Sequence, residues 1–433
     1  MDELKRIGQR IYGLASSIYP ICRSITGEGV RETLAILSQY IKTGNGPDMV
    51  LREVPSGTQA FDWTVPKEWA IHQAYIEDET GKRIINMKEN NLHIMGYSVP
   101  VDVWVDLEEL KQHIFTQPEQ PDVIPYVTSY YKERYGFCMS EKQLNSLLPG
   151  KYHMVIDSEL TEGSLTYGEI ILPGECEDEV FLSTYICHPS MANNECSGPA
   201  LLSELICFLC SLKKRKYTYR CIFIPETIGS ITYLSRNLDY MKEHVIAGFN
   251  LSCVGDNREY SIIESRYGNT LADKALENVL KFCGEYKKYS FLDRGSDERQ
   301  YNAPGVDLPV VCFCRSKFGE YPEYHTSADN MSLVSPEGFQ GSYEVMTQII
   351  CAIERNGYYK MNVLCEPQLG KRGLYPTISQ KGSYDAVKTM TDFIAYADGK
   401  NDLFDISMRI GVPVYKLIDI VEQLEKHGLL RRV

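Results

Sequence analysis

Four short stretches of the 433-residue chain combine residue types that can do chemistry. They are Cys187-His-Pro-Ser-Met-Ala-Asn-Asn-Glu-Cys-Ser-Gly198, Phe223-Ile-Pro-Glu-Thr-Ile-Gly-Ser230, Asn250-Leu-Ser-Cys-Val-Gly-Asp256 and Tyr321-Pro-Glu-Tyr-His-Thr-Ser-Ala-Asp329. Each follows an apolar, strand-like run, so His188, Glu226, Asp256 and His325 fall at or just beyond strand ends. Only eight histidines occur in the chain, and two of them lie here beside Pro, Ser, Thr or Asn loop residues. Imidazoles and carboxylates bind zinc-like metals and also exchange protons near neutral pH. Two of each at neighbouring strand ends therefore point to a metal site or an acid–base site.

The elements that must position these residues begin near residue 151, where strand-like and helix-like runs alternate. The strand-like runs are Met154-Val-Ile-Asp157, Thr166–Leu172, Val180–Ile186, Cys221–Pro225, Ala247–Val254 and Pro309–Cys314. The helix-like runs are Pro199–Leu212, Ser230–His244, Thr270–Cys283 and Pro336–Arg355. Continuous apolar strands between amphipathic helices predict an α/β fold, with a mixed, mainly parallel sheet sandwiched by helices. In such sheets ligands bind beyond the carboxyl ends of the strands.

Before this region, Leu4, Ile7, Ile11 and Leu14 recur at helical spacing, and a second helix follows over about Gly29–Ile41. The segment between them, Cys22–Gly29, reads as a helix–helix connection. Gly44, Gly46, Pro47, Pro55 and Gly57 then punctuate a change to short aromatic and β-branched segments, which predicts an inserted β-rich module. The aromatic run Tyr126–Phe137 at its end reads as packing, and the inserted module with the Tyr130-Tyr131 region is expected to shape access to a cleft. Pro367, Gly370, Gly373 and Pro376 mark a linker, followed by three short helices at Asp385–Ala397, Asp402–Ile410 and Pro413–His427 that suggest a winged-helix-like module. The expected domains are therefore 1–50 with 150–364 (α/β), 51–149 (inserted, β-rich) and 365–433 (C-terminal, winged-helix-like).

Charge narrows the partners. With 45 basic against 58 acidic side chains the net charge is −13, which argues against sequence-independent nucleic-acid binding and against anionic membrane surfaces. The third C-terminal helix carries more acids than bases, whereas a DNA reader presents basic or amide side chains. Contact with a protein partner, or homo-oligomer formation through this module, is expected instead. No apolar run reaches the roughly 20 residues of a membrane span. The first residues, Met1-Asp-Glu-Leu-Lys-Arg6, lack the apolar core of a signal peptide. Many of the fourteen cysteines sit inside apolar runs, where a thiol behaves as a small hydrophobe. Reduced thiols in the cytoplasm are the expectation.

The order and context of the four stretches resemble the zinc-dependent aminopeptidase superfamily, the co-catalytic zinc exopeptidases. The resemblance rests on His188, on Asn193-Asn194-Glu195-Cys-Ser-Gly198 opening a helix, on Glu226 with Gly229-Ser230, on Ser296-Asp297 and above all on Tyr324-His-Thr-Ser-Ala-Asp329. It covers about 150–365 and extends to the N-terminal helices. The layout is similar to the aminopeptidase-like subgroup with an inserted β module and a C-terminal winged helix. It implies one or two zinc ions, held by His188, Glu226, Asp256 and His325. Glu195 and Glu226 would be catalytic carboxylates, with Asn194 and Tyr324 orienting substrate or water. The chain departs from the pattern at several places. Ser190 replaces the aspartate that orients the first histidine, Asn194 replaces the bridging aspartate, Pro225 replaces one of a glutamate pair, and Ser252 replaces a strand-end aspartate.

The expected function is a metal-dependent hydrolase of an amide or peptide bond, acting on a small peptide-like substrate or amino-acid conjugate. The alternative is a ligand-binding or scaffold protein on the same fold whose catalytic site has degenerated.

Overall fold

The structure, a computed structural model, describes residues 2–375 and 385–433. The chain forms two compact units. One comprises the residues up to Gly268 with Lys287–Tyr343, the other Asn269–Tyr286 with Glu344–Val433.

The first unit is built on an eight-stranded mixed sheet. Its four central strands, Thr218–Ile224, Glu179–Tyr185, Val245–Leu251 and Val310–Cys314, lie side by side and parallel. Every residue of Glu179–Tyr185 and of Val310–Cys314 is buried, as expected of strands covered on both faces. Antiparallel strands Ser164–Leu172 and then Val50–Pro55 extend one margin. On the other margin Ser261–Ile263 pairs antiparallel with Val310–Cys314 and carries Lys287–Tyr289 outside it. These last two strands have three residues each, too few for a sequence period to show.

Helices Asp2–Ile18 and Glu28–Thr43 pack against helix Ser197–Ser211. The buried residues of the second, Val30, Thr33, Leu34, Leu37 and Ile41, repeat at the three-to-four-residue spacing of one helix face. Gly198 is a packing requirement. A Cβ there would lie 2.2 Å from Thr184 Oγ1 and 2.6 Å from the Leu251 carbonyl oxygen, so only glycine lets this helix start against the two strands.

The inserted module is a four-stranded antiparallel sheet ordered Arg83–Asn86, Glu68–Asp78, Lys151–Thr161, Val101–Asp106. Trp69 and Tyr97 stack in its core at 5.8 Å. Lys151–Thr161 thus belongs to the insert and does not open the α/β alternation, whereas Val50–Pro55 belongs to the large sheet. Which sheet a short strand joins is settled by long-range pairing that no local pattern records.

The second unit contains helix Leu271–Cys283, the three helices Asp385–Tyr396, Leu403–Ile410 and Val414–Lys426, and the antiparallel strand pair Tyr359–Met361 and Leu430–Arg432. A capping box between Asp402 and Asp405 starts the middle helix, and Gly411, at φ 68°, ends it. Three helices and a short strand pair make a winged-helix domain. Of the linker residues named above, Pro376 lies outside the described residues. Among the described residues no helix is long and apolar enough to cross a membrane.

Candidate functional site

The four chemical stretches leave the carboxyl ends of the four central parallel strands, on one edge of the sheet. Tyr185 and Ile224 are paired in register, so His188 and Glu226 follow three and two residues beyond matched strand ends. Strand Val245–Leu251 leads into Ser252 and Asp256, and strand Val310–Cys314 leads to His325. Several rim residues other than glycine hold positive φ: Ser190 at 42°, Thr227 at 64°, Cys253 at 53° and His325 at 56°. Such backbone costs about 1–3 kcal/mol per residue and gathers at functional sites.

Two histidines and two glutamates meet here. His188 Nδ1 lies 2.7 Å from Glu195 Oε2, and its Nε2 lies 3.7 Å from Glu226 Oε2. The rings of His188 and His325 are 5.3 Å apart between centroids. Tyr324 stacks on His325 at 3.9 Å, and Tyr126 sets its edge against both histidines at 5.0 and 5.1 Å. Cys187, His188 and Glu195 bring donor atoms within 4.8 Å of one another. Cys187 Sγ also accepts the Glu226 N–H, and burial pushes its thiol up to about 12.

The electrostatics follow from burial among few countercharges. Burial opposes a charge on His188, yet Cys187 and Glu195 beside it outweigh that, and its pKa stands well above 6.5. His325 is driven down to about 3 by burial and by the charge of His188, so its ring is neutral. Burial also raises Glu226, with His188 acting against the rise. Asp297 is pushed up to about 8 by burial and then by Glu226. It supports the Glu226 turn by accepting from Thr227 N (2.8 Å) and Ser230 Oγ (2.7 Å).

Behind the histidines, a π-helical turn at Ala192–Cys196 runs into helix Ser197–Ser211. π-turns recur at functional sites. This one is anchored by Asp329, whose carboxylate accepts from the backbone N–H of Asn193 (2.6 Å) and Asn194 (3.0 Å). The turn aims Glu195 back at His188.

Asp256 does not join this group. Its carboxylate accepts from Ser316 N (2.9 Å), Ser316 Oγ (3.0 Å), Arg258 N (2.9 Å) and Asn193 Nδ2 (3.0 Å). Fully committed and fully buried, it is an anchor for the Asn193 turn, and the expectation that it supplies a metal ligand is corrected here. Asn194 Nδ2 donates to Tyr185 OH at 2.8 Å, and that hydroxyl also pairs with Ser252 Oγ at 2.7 Å. The two positions where the resembled pattern has aspartates are thus joined through a tyrosine.

Arg23, in the loop between the first two helices, is buried and donates through Nε to the His188 carbonyl at 3.0 Å, with Glu195 Oε1 at 3.9 Å. Nothing local in the sequence marks it, because its partner lies 165 residues away. The aromatic run does more than pack: Tyr126, Tyr130 and Tyr131 border a cavity of about 440 Å³ that also touches His188, Glu226 and His325.

Two of the donors, His188 and Glu226, stand at a spacing suited to one ion. Two donors about 2.0–2.1 Å from a tetrahedral ion stand about 3.4 Å apart. His188 Nε2 and Glu226 Oε2 are close to that separation and too far apart to hydrogen-bond each other. His325 Nε2 is buried and has no hydrogen-bond partner among the described residues. A second ion does not fit, because Asn194 and Ser252 are neutral and Asp256 is engaged elsewhere.

The family model described as "Domain of unknown function (DUF4910)" matches residues 12–356, and the model described as "winged helix-turn-helix" matches 357–432. A Clostridium acetobutylicum protein described as a polysaccharide biosynthesis protein with an aminopeptidase-like domain is 44% identical over 429 residues, 98% of this chain and 97% of its own. The crystal structure of a C. acetobutylicum protein described as a peptidase superposes with a TM-score of 0.93 at 43% identity, covering 100% of this chain and 98% of that one. A zinc aminopeptidase from Bacillus subtilis shares the fold at a TM-score of 0.58 and 12% identity, over 80% of this chain and 94% of its own. The chain belongs to the DUF4910 family, built on the fold of the zinc aminopeptidases and extended by a winged helix-turn-helix domain.

Proposed function

We propose that this protein is a metal-dependent hydrolase of an amide bond, aminopeptidase-like in its fold, with a single-ion centre. The observation that carries the reading is the unpartnered, buried Nε2 of neutral His325 beside the His188–Glu226 gap. His188 and Glu226 would hold the ion, and His325, its ring centroid 5.3 Å from that of His188, would complete the set by a shift of its side chain. When bound, a zinc ion supplies a Lewis acid and a water of lowered pKa.

The chain's own residues have distinct tasks. Glu195 keeps a proton on His188 Nδ1, so that an ion at Nε2 would displace the second proton of the charged ring, the role of a carboxylate behind a metal-binding histidine. Glu195 does not border the cavity, so we assign it this positioning role and not that of a base. Tyr324 stacking and Tyr126 packing fix the plane of His325. Tyr126 and Tyr130 share a 2.7 Å hydrogen bond, and burial lifts both phenols well above their usual 10. One hydroxyl donates to the other, and the remaining neutral O–H can polarise a substrate carbonyl. Asn194 holds Tyr185, whose ring packs edge-on against His188 at 5.7 Å.

The peptidase description of the relative and the aminopeptidase-like domain of its counterpart support an amide as the bond attacked. The acidic helix Val414–Lys426, with Asp419, Glu422 and Glu425 against Lys416 and Lys426, supports a protein-contact role for the C-terminal domain and not a DNA-reading one. The test is a screen of aminoacyl and N-acyl amides with protein reconstituted with zinc, cobalt or manganese. Cleavage that is lost in His325→Ala supports the reading, and absence of cleavage by every metal form defeats it.

A further inference from the structure

Arg299 is a cation in the cavity that makes no close ion pair among the described residues, and its charge acts at longer range on Glu226, Asp297 and Glu298. It borders the same roughly 440 Å³ space as His188, Glu226 and His325. Its Nη2 donates to Thr227 Oγ1 at 2.5 Å, which fixes the guanidinium against the residue following Glu226. Its Nε is buried and has no hydrogen-bond partner, and no carboxylate lies in ion-pair distance, both among the described residues. Elsewhere the fold matches such groups. Arg220, more deeply buried than Arg299, is bonded twice by Glu179, at 2.6 and 2.8 Å, and once by Glu169 at 3.1 Å. A buried N–H left unpaired costs free energy, and a guanidinium presents its donors as a fork suited to planar anions. Arg299 also borders an adjoining open groove of about 650 Å³ that carries Arg294, so an anion here has room to belong to a larger molecule. Across the cavity stand Trp63 and Tyr131, 39% and 54% exposed and 5.8 Å apart edge to face, which offer an apolar wall to the rest of the ligand.

We propose that the ligand of this site carries an anionic group, a carboxylate or a phosphate, next to the amide, and that Arg299 binds that group. The inference rests on the amide-hydrolase reading for the word amide, and its test reads binding and not turnover. The probes are three molecules of one skeleton: N-acetylglycine, its neutral amide N-acetylglycinamide, and N-acetylaminomethylphosphonate. Binding to the full chain, with and without zinc, is followed by calorimetry and by the fluorescence of Trp63. The wild type should bind one of the charged probes about tenfold or more tighter than the neutral amide, the size of effect of a charge-assisted bond. The tighter of the two identifies the anion. Arg299→Gln should abolish the preference, and Arg299→Lys, which keeps the charge without the fork, should retain part of it. Equal binding of charged and neutral probes by the wild type, no binding of any probe, or a preference undiminished in Arg299→Gln would overturn the proposal. A charge preference without any amide cleavage would defeat the hydrolase reading alone, and cleavage of neutral amides without a charge preference would defeat this inference alone.

Discussion

His188 Nδ1 and Glu195 Oε2, seven residues apart in the chain, stand 2.7 Å from each other inside the protein. The pattern this chain resembles orients the equivalent histidine with an aspartate two residues on, and here that position is Ser190, whose hydroxyl instead meets Asn91 at 2.9 Å. The π-helical turn at Ala192–Cys196 delivers a replacement carboxylate from the other side. The orienting acid has moved along the chain while the clamp on the imidazole has been kept. If this clamp sets the basicity and tautomer of His188, Glu195→Gln should weaken zinc binding about 10–100-fold with little change in fold. Competition against a chromophoric chelator measures this directly, and unchanged affinity would remove Glu195 from the site.

The tyrosine bridge from Asn194 through Tyr185 to Ser252 makes a second prediction. Restoring one charge leaves the other position neutral, so Asn194→Asp alone should not add a second equivalent of metal. The double variant Asn194→Asp with Ser252→Asp places two carboxylates about the Tyr185 hydroxyl and should raise the stoichiometry toward two. Elemental analysis after dialysis against zinc separates the cases. A second equivalent in the single variant would show that Ser252 is not the limiting position.

Away from the site, Arg220 ties Glu179 and Glu169, on the two strands that flank its own, to each other and to Tyr233 of a covering helix. Replacing it by methionine leaves Glu179 buried without its cation and Glu169 with only the exposed Arg52 at 3.4 Å. The expected loss is about 3–5 kcal/mol, with Arg220→Lys intermediate because lysine keeps the charge but not the bidentate geometry. Urea denaturation checks this, and a loss below about 1 kcal/mol would mean that water reaches the pair.

The inserted module should carry a pH signature at His153. Partial burial disfavours its charge, but hydrogen bonds to Asp102 (2.6 Å) and Glu77 (3.3 Å) outweigh that and raise its pKa above 6.5. A raised folded-state pKa contributes stability that is full below the unfolded value of about 6.5 and fades as pH climbs through the folded value. The stability gap between wild type and His153→Gln should therefore be widest below pH of about 6.5 and close on the alkaline side. The ring stacks on Trp104 at 4.7 Å, so tryptophan fluorescence follows the same titration. A gap that widens with pH would reverse the assignment.

Much of the scaffold was legible because burial on both faces leaves unbroken apolar runs. Glu179–Tyr185 and Thr218–Ile224 run almost directly into His188 and Glu226, and the loop that follows Val310–Cys314 carries His325. Helix Pro336–Arg355 was readable to the residue, since proline at its start and amphipathic spacing are local signals. Sheet membership was not legible. The alternation in Lys151–Thr161 looks the same whether the strand joins the large sheet or the insert, and only its pairing with Glu68–Asp78 decides. The site was legible in its ligand types and not in its supports. Asp256 had a suitable residue type at a suitable strand end, but four hydrogen-bond donors already occupy it. Arg23 had no signal, because an arginine in a Gly-bearing loop gives no hint that it will be buried under His188.

Metal content per mole of chain, in protein purified without chelators and again after reconstitution with zinc, tests the central claim most directly. The account predicts one equivalent in the wild type, lost in His325→Ala while circular dichroism and thermal midpoint stay close to wild type. No bound metal under either condition, or an equivalent that survives removal of His325, would contradict it.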